Sequence, residues 1–470
     1  MDDNISDKKA AMAGSGNPAA TMRMSIPALA RSGAVAGVIK LASAGLSFLM
    51  FVAVAMVMDE RQFGLYSATY AGASLVSFFA SVGQQSTVLR FWPQYAGLGD
   101  LNSAHGMMAR AILVALLGLV VSSLLILVAG FLPFVGGGTP EWLSLCLAAA
   151  VLSFSLGWSE FTSGAFRAKH ALIYGLLPRD IIWRAATIAA MLGCRFLHIE
   201  MGAVAATFLT AGLLILSVVP QTVLLLRETA RAERGPLSPA QKQEFKTVTL
   251  GLWGVTSLPP ALGQVSTLLV AMILGPVPAG AIFVADRTTR FVALALNGIN
   301  QALAPQISSA FYSGDRAHVQ RITSLAALGS FAIALCVLAA FWLFGGFILS
   351  IFNPAYDTPT MRTTLVIFGI GATFATACGP IEILLQLTGL QHALFKVLII
   401  VNVLGLVATA ATTYYFGPVG AAVTIAGTVI AWTALAVSIA RRRIGINPSI
   451  FGLAMGKAAA VSRPVLRDRT

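Results

Sequence analysis

Residues 111–135 read AILVALLGLVVSSLLILVAGFLPFV, an unbroken apolar run from Ala111 to Val135 without one charged side chain. A helix rises 1.5 Å per residue, so about 20 such residues cross a hydrocarbon core of about 30 Å. This run is therefore a membrane span, and the same reading repeats along the chain. Spans are expected at Val35–Met58, Phe63–Val88, Ala111–Val135, Trp142–Phe166, Leu177–Cys194 and Gly202–Leu226. Six more follow at Thr249–Leu274, Ala279–Ala304, Ser324–Phe347, Thr363–Leu387, Val397–Tyr415 and Gly420–Ala440. The 470 residues are 57% hydrophobic and only 10% charged, against about 25% charged in soluble domains. Soluble enzymes, disordered chains and fibrous proteins are excluded. The expected fold is an all-α polytopic membrane protein with about twelve transmembrane helices.

The net charge of +13 raises nucleic acid as a partner, and the placement of the charges answers it. Of 31 Lys and Arg, 23 fall in the two tails and the loops after even-numbered spans, and 3 in the loops after odd-numbered spans. This is the positive-inside pattern, so both termini are expected in the cytoplasm of a bacterial inner membrane, with no nucleic-acid partner. The acidic start, with Asp2, Asp3 and Asp7, is unlike a signal peptide. The segments are a cytoplasmic tail (1–30), six spans (31–226), a charged linker with Pro236 and Pro239 (227–248), six spans (249–440) and a basic cytoplasmic tail (441–470). Cys146, Cys194, Cys336 and Cys378 sit in apolar stretches without metal-ligand spacing, so no metal and no cofactor is expected. No GxxxxGK[ST] loop occurs, so transport in this chain would proceed without ATP hydrolysis. No outward loop is large enough to house a polymerase or ligase domain, and no nucleophile–base set marks an enzyme.

The halves match. Gly157-Trp-Ser-Glu160 with His170-Ala-Leu172 aligns at offset 222 with Gly379-Pro-Ile-Glu382 and His392-Ala-Leu394, and Gln85 aligns at offset 216 with Gln301. Pro93-Gln94 and Gly99-Asp100 return as Pro305-Gln306 and Gly314-Asp315. Six spans separate the copies, so they share one orientation, giving two six-helix lobes around a central cleft.

Charges inside the membrane are costly and tend to mark pathways. Asp286, Arg287 and Arg290 lie about 10–17 Å deep in span eight. Asp286 and Arg290, four apart, can pair, leaving Arg287 as net positive charge in the cleft. Lys40 either faces the substrate or snorkels to the surface. Arg179, Asp180 and Arg184 read as an interfacial anchor cluster rather than a substrate path. Arg31 and Arg90 suit a cytoplasmic entry mouth or simple anchoring. Glu160 and Glu382 suit either proton-carrying carboxylates or structural ones at the inner rim. Gln84, Gln85, Asn300 and Gln301 offer amides to sugar hydroxyls or to neighbouring helices. Pro259-Pro260 in span seven dictates a bend, either a gate or a static kink.

Gly45-Leu-Ser-Phe-Leu, Phe63-Gly-Leu-Tyr-Ser67 and Ser81-Val-Gly83 with Arg90 resemble the polysaccharide-biosynthesis flippases of the multidrug/oligosaccharidyl-lipid/polysaccharide exporter superfamily. The likeness extends over about residues 31–440, with Leu250–Asp315 similar to the family's second copy of the unit. It implies a flippase that moves polyprenyl-diphosphate-linked oligosaccharide repeat units outward for exopolysaccharide, capsule or O-antigen synthesis. Polysaccharide polymerases, glycosyltransferases and membrane lipid are the implied partners. The diphosphate would meet Arg287, Arg290 and Lys40. A cation-coupled drug exporter is the main rival, opposed by the net positive charge deep in the cleft. A lipid II flippase and a non-transporting scaffold for polysaccharide assembly are the others. The charge pattern predicts that a reporter enzyme fused after Thr470 is active only if it works in the cytoplasm; a periplasm-only reporter that is active there overturns the topology.

Overall fold

A computed structural model of the protein describes residues 26–132, 139–233, 235 and 238–452, the side chains of 26–36, 255, 259–260, 293–302 and 305 excepted. Every regular element among the described residues is helical. The helices are α1 (Ile26–Ala55), α2 (Glu60–Ala80), α3 (Gln84–Gly97), α4 (Leu101–Gly130), α5 (Pro140–Ala168), α6 (Leu172–Leu177) and α7 (Trp183–Phe196). They continue as α8 (Ala203–Arg231), α9 (Pro239–Leu274), α10 (Pro276–Tyr312), α11 (Arg316–Phe352), α12 (Pro359–Ala377), α13 (Ile381–Leu387) and α14 (Gln391–Ile444). Helix and bundle suit the solvent, since lipid offers no partner to an exposed backbone group. Among the described residues seven helices are long and apolar enough to cross a membrane, and nine if two bent pairs each count as one crossing. Helix α10, outside that set, runs for 37 residues and carries Asp286, Arg287 and Arg290.

Short polar side chains start the helices. Asp59, Asp100, Ser238, Asp315 and Thr358 each accept a hydrogen bond from the backbone N–H three residues on. The Gly99-Asp100 and Gly314-Asp315 corners are alike in detail: both glycines have positive φ and both aspartates cap the next helix. This part of the internal repeat is real in three dimensions. The Glu160/Glu382 alignment is not. The left-handed residue that ends the preceding helix is His170 in one half and Gly389 in the other, so the structural offset there is 219. The two carboxylates stand three residues, almost one helical turn, out of register.

Several expected spans are broken. Span two is divided at Val82 and Gly83, both with positive φ, into α2 and α3. The region around span five is built from α6, a π turn (Pro178–Ile182) and α7. Span ten bends by 41° between α12 and α13. In α9 the two prolines do bend the helix, by 47° between Leu258 and Ala261. Helix α14 doubles back at Gly417, for Thr412 and Thr424 hydroxyls lie 2.7 Å apart and Gly405 packs on Thr428.

Helices α4, α5 and α8 pack with α2 and α3, while α11, α12 and α14 pack with α9 and α10. Helix α2 touches α9 and α10 and so joins the two groups. The α2–α10 crossing is made at Gly64 and Gly280, where a Cβ on Gly280 would come within 3.1 Å of the Gly64 Cα and one on Gly64 would strike the Pro276 carbonyl. Beside it, Tyr356 Oη donates to the Glu60 carbonyl at 3.3 Å. The chain after α14 also belongs to the bundle. Ile446, Asn447 and Ser449 are buried, the Gln320 amide bonds the Asn447 backbone in both directions, and Ile450 N–H donates to the Ala377 carbonyl at the end of α12.

Overpacking costs about 1–3 kcal/mol. Gly64→Ala is expected to lower the thermal midpoint of the detergent-purified protein, whereas Gly212→Ala, with open space at its Cβ, leaves it unchanged or raised.

Candidate binding cleft

The sequence places Asp286, Arg287 and Arg290 in the middle of α10, and the structure gives each a different neighbourhood. Arg290 donates to Asp286 Oδ2 through Nε at 3.1 Å and Nη2 at 2.8 Å, the expected i,i+4 pair. Arg290 is half exposed. Arg287 is not a free cation facing open space: its side chain is 11% exposed. Its guanidinium carbon lies 4.5 Å from the Phe283 ring centroid, 5.2 Å from Phe51 and 5.8 Å from Tyr70. Nη2 donates to Gln264 Oε1 of α9 at 3.3 Å, and buried Nε has no hydrogen-bond partner. Each cation–π contact contributes about 0.5–2 kcal/mol, so the rings of α1, α2 and α10 hold the charge where lipid could not. The sequence carried part of this signal, since Phe283 precedes Arg287 by one helical turn and Gln264 is an amide deep in span seven.

A second charged group is assembled from α1, α5, the π turn and α7. Lys40 Nζ meets Asp180 Oδ2 at 2.5 Å, and Arg184 Nη1 reaches Asp180 Oδ1 at 3.3 Å. Glu160 pairs with Arg179, and Arg167 stands 3.6 Å from it. Asp180 is 4% exposed and Arg184 14%. The headgroup anchor expected of Arg179, Asp180 and Arg184 is thus a buried ion network. The π turn explains how: one wide turn sets Arg179 and Asp180 toward α5 and α1, a local device often found at functional sites. Tyr70 is within electrostatic range of Arg179, Arg184 and Arg287 alike, so the two groups share its surroundings. Together six cations face three carboxylates. Arg179, Arg184 and Arg287 each keep a buried Nε without a partner.

The remaining expected residues divide. Gln84 is fully buried and bonds the Val82 carbonyl at 3.3 Å. Gln85 accepts from Ser81 at 2.6 Å. Both stand at the α2–α3 break, where Gln84 Oε1 is buried without a hydrogen-bond partner. Arg90 is half exposed, 3.8 Å from Glu244 and beside Phe91. Glu160 is committed to arginines, not to His170. Glu382 lines a cavity of about 230 Å³, with Gln386 at 3.4 Å. The side chains of Arg31, Asn300, Gln301, Pro259 and Pro260 lie outside the described residues.

The polysaccharide biosynthesis protein family model matches residues 29–311. The chain belongs to that family. In sequence, no curated protein matches it. In fold this polysaccharide biosynthesis protein is similar to an inward-facing MATE-family multidrug resistance transporter of the MOP superfamily, with TM-score 0.65 and 14% identity over 91% of this chain and all of the other. The outward-facing form of a MATE-family multidrug resistance transporter gives 0.58 and 16% over 92% and 96%. A MOP-superfamily transporter from Pyrococcus furiosus gives 0.61 and 16% over 88% and 95%. The family member is thus a multi-pass membrane protein with a transporter fold, not an enzyme fold.

Leaving one ion of a buried pair alone costs several kcal/mol, less where water reaches it. Glu160→Gln should lower stability by about 2–3 kcal/mol in detergent unfolding, and Glu160→Gln/Arg179→Gln together should recover part of that loss. A double-variant loss equal to the sum of the Glu160→Gln and Arg179→Gln losses would show that the pair contributes nothing as a pair.

Proposed function

We propose that the protein is a flippase that carries polyprenyl-diphosphate-linked oligosaccharide repeat units from the cytoplasmic to the periplasmic leaflet of a bacterial inner membrane, by alternating access without ATP hydrolysis. One observation carries the reading: the charged groups around Asp286, Asp180 and Glu160 sum to an excess of cations, with three buried guanidinium Nε groups making no hydrogen bond. A diphosphate is the ligand that such a surplus suits, since Arg donors match phosphate oxygens. An organic cation would meet repulsion there, which disfavours the drug-exporter reading. Within this fold the pocket's polarity varies, for the Pyrococcus furiosus transporter is described as having a binding pocket of reverse polarity that suggests a different function.

The architecture is read as twelve spans in two lobes. Helices α2 with α3, α6 with α7, and α12 with α13 each make one bent crossing, and α14 makes two. The Gly64–Gly280 crossing then closes the periplasmic end, and alternating access requires it to part, with the bend of α9 accommodating the movement. Arg287 and Arg290 take the diphosphate from the second lobe, with Lys40, Arg179 and Arg184 on the first. The polyprenyl chain stays in lipid. With the inside negative, moving two negative charges outward gains about 4–5 kcal/mol at 100 mV.

Deletion of the gene is expected to accumulate a polyprenyl-diphosphate oligosaccharide and deplete surface polysaccharide. Wild type restores both and Arg287→Glu neither. No accumulation, with new sensitivity to cationic dyes, overturns the reading in favour of drug export.

A further inference from the structure

Tyr66 and Tyr70 stand four residues apart on one face of α2, and the fold uses them differently. Tyr66 is fully buried, and its hydroxyl lies 3.3 Å from that of Thr210 on α8. Tyr70 is half-buried. Its ring is held by Phe51 of α1 at 5.1 Å, Phe283 of α10 at 6.1 Å and Tyr66 at 6.2 Å, between centroids. The Arg287 guanidinium carbon lies 5.8 Å from the ring centroid. Nothing comparable holds the polar end. Among the described residues the Tyr70 hydroxyl makes no hydrogen bond, yet it is not one of the buried atoms left without a partner, so it opens to space. Arg287 of one charged group and Arg179 and Arg184 of the other are all within its electrostatic range.

We infer that Tyr70 is a further ligand-binding residue, whose hydroxyl donates to a phosphate lying between Arg287 and the Arg179–Arg184 group; the inference rests on the flippase reading, which supplies the diphosphate. The ring contacts alone would be served by phenylalanine, as they are at Phe51 and Phe283. The hydroxyl is what those contacts leave unexplained, since a tyrosine tip set among packed side chains ordinarily finds a partner. Cations on both sides favour the orientation in which the hydroxyl oxygen faces them and its proton points to an anion. A phenol also adds a donor without adding charge. It needs no carboxylate to neutralise it when the site is empty, whereas Arg179 and Arg184 are paired with Glu160 and Asp180. The packed ring has already lost its rotational freedom, so donation costs little further ordering.

The test is equilibrium binding of radiolabelled farnesyl diphosphate to the full-length detergent-purified protein, with the thermal midpoint of each variant read beside it. Tyr70→Phe keeps the ring and the packing around Arg287. It should keep the wild-type midpoint and bind the probe about tenfold more weakly, the worth of one hydrogen bond to a charged group. Tyr66→Phe removes a hydroxyl that already has its partner, so it should lower the midpoint and leave the Kd unchanged. Wild-type affinity in Tyr70→Phe overturns the inference. So does an equal loss of affinity in the two variants, which would assign the effect to the packing of α2. If wild type does not bind the probe, or Arg287→Glu binds it as tightly as wild type, the flippase reading fails first and this inference falls with it. A probe that needs Arg287 but binds Tyr70→Phe unchanged overturns the assignment of Tyr70 alone.

Discussion

A guanidinium held in the middle of a membrane protein is the constraint around which the rest is organised. Arg287 cannot give up its charge, so its surroundings must replace water. Three aromatic rings from three helices and one amide from a fourth do so. That requirement fixes the mutual position of α1, α2, α9 and α10, the helices through which the two halves of the chain meet. It also explains the aromatic density there: Phe51 packs edge-on against Tyr70 and Phe283 at centroid distances of 5.1 and 4.8 Å. The Arg287 cluster and the interface between the halves are thus one object.

The first half meets the same problem with a different solution. There the cations are neutralised by carboxylates, Glu160 and Asp180, each touched by two positive groups. Arg287 keeps only a long 4.0 Å contact with Asp286, which is itself held by Arg290 at 2.8 Å, whereas Arg179 is bonded directly to Glu160.

Much of this was legible in the residues. Apolar run length announces the helices, and Arg290 four residues after Asp286 announces their pair. The Gly-Asp corners of the two halves match as read. What the sequence concealed depends on non-local contacts or on local backbone. Nothing in Leu177–Cys194 signals a π turn, so Arg179 and Asp180 looked like surface anchors. Matching letters at offset 222 hid a three-residue shift, because apolar helices tolerate insertion of nearly a full turn without disturbing which face is buried. Gln84 and Gln85 suit sugar hydroxyls or neighbouring helices in the sequence, and in the fold Gln84 bonds the Val82 carbonyl and Gln85 the Ser81 hydroxyl at the break, contacts that depend on local backbone.

The segment following α14 has a consequence for how the protein is made. The Ala377 carbonyl, at the bend of span ten, accepts its hydrogen bond from Ile450 N–H, and Gln320 of α11 is bonded by Asn447. During synthesis both helices emerge and insert well before residues 447–450 exist. Two partly buried polar groups therefore wait, each for more than seventy residues of further translation, and chains start to fold from the N-terminal side meanwhile. The hydrogen bonding at the bend beside Glu382 is therefore complete only once residue 450 has been translated.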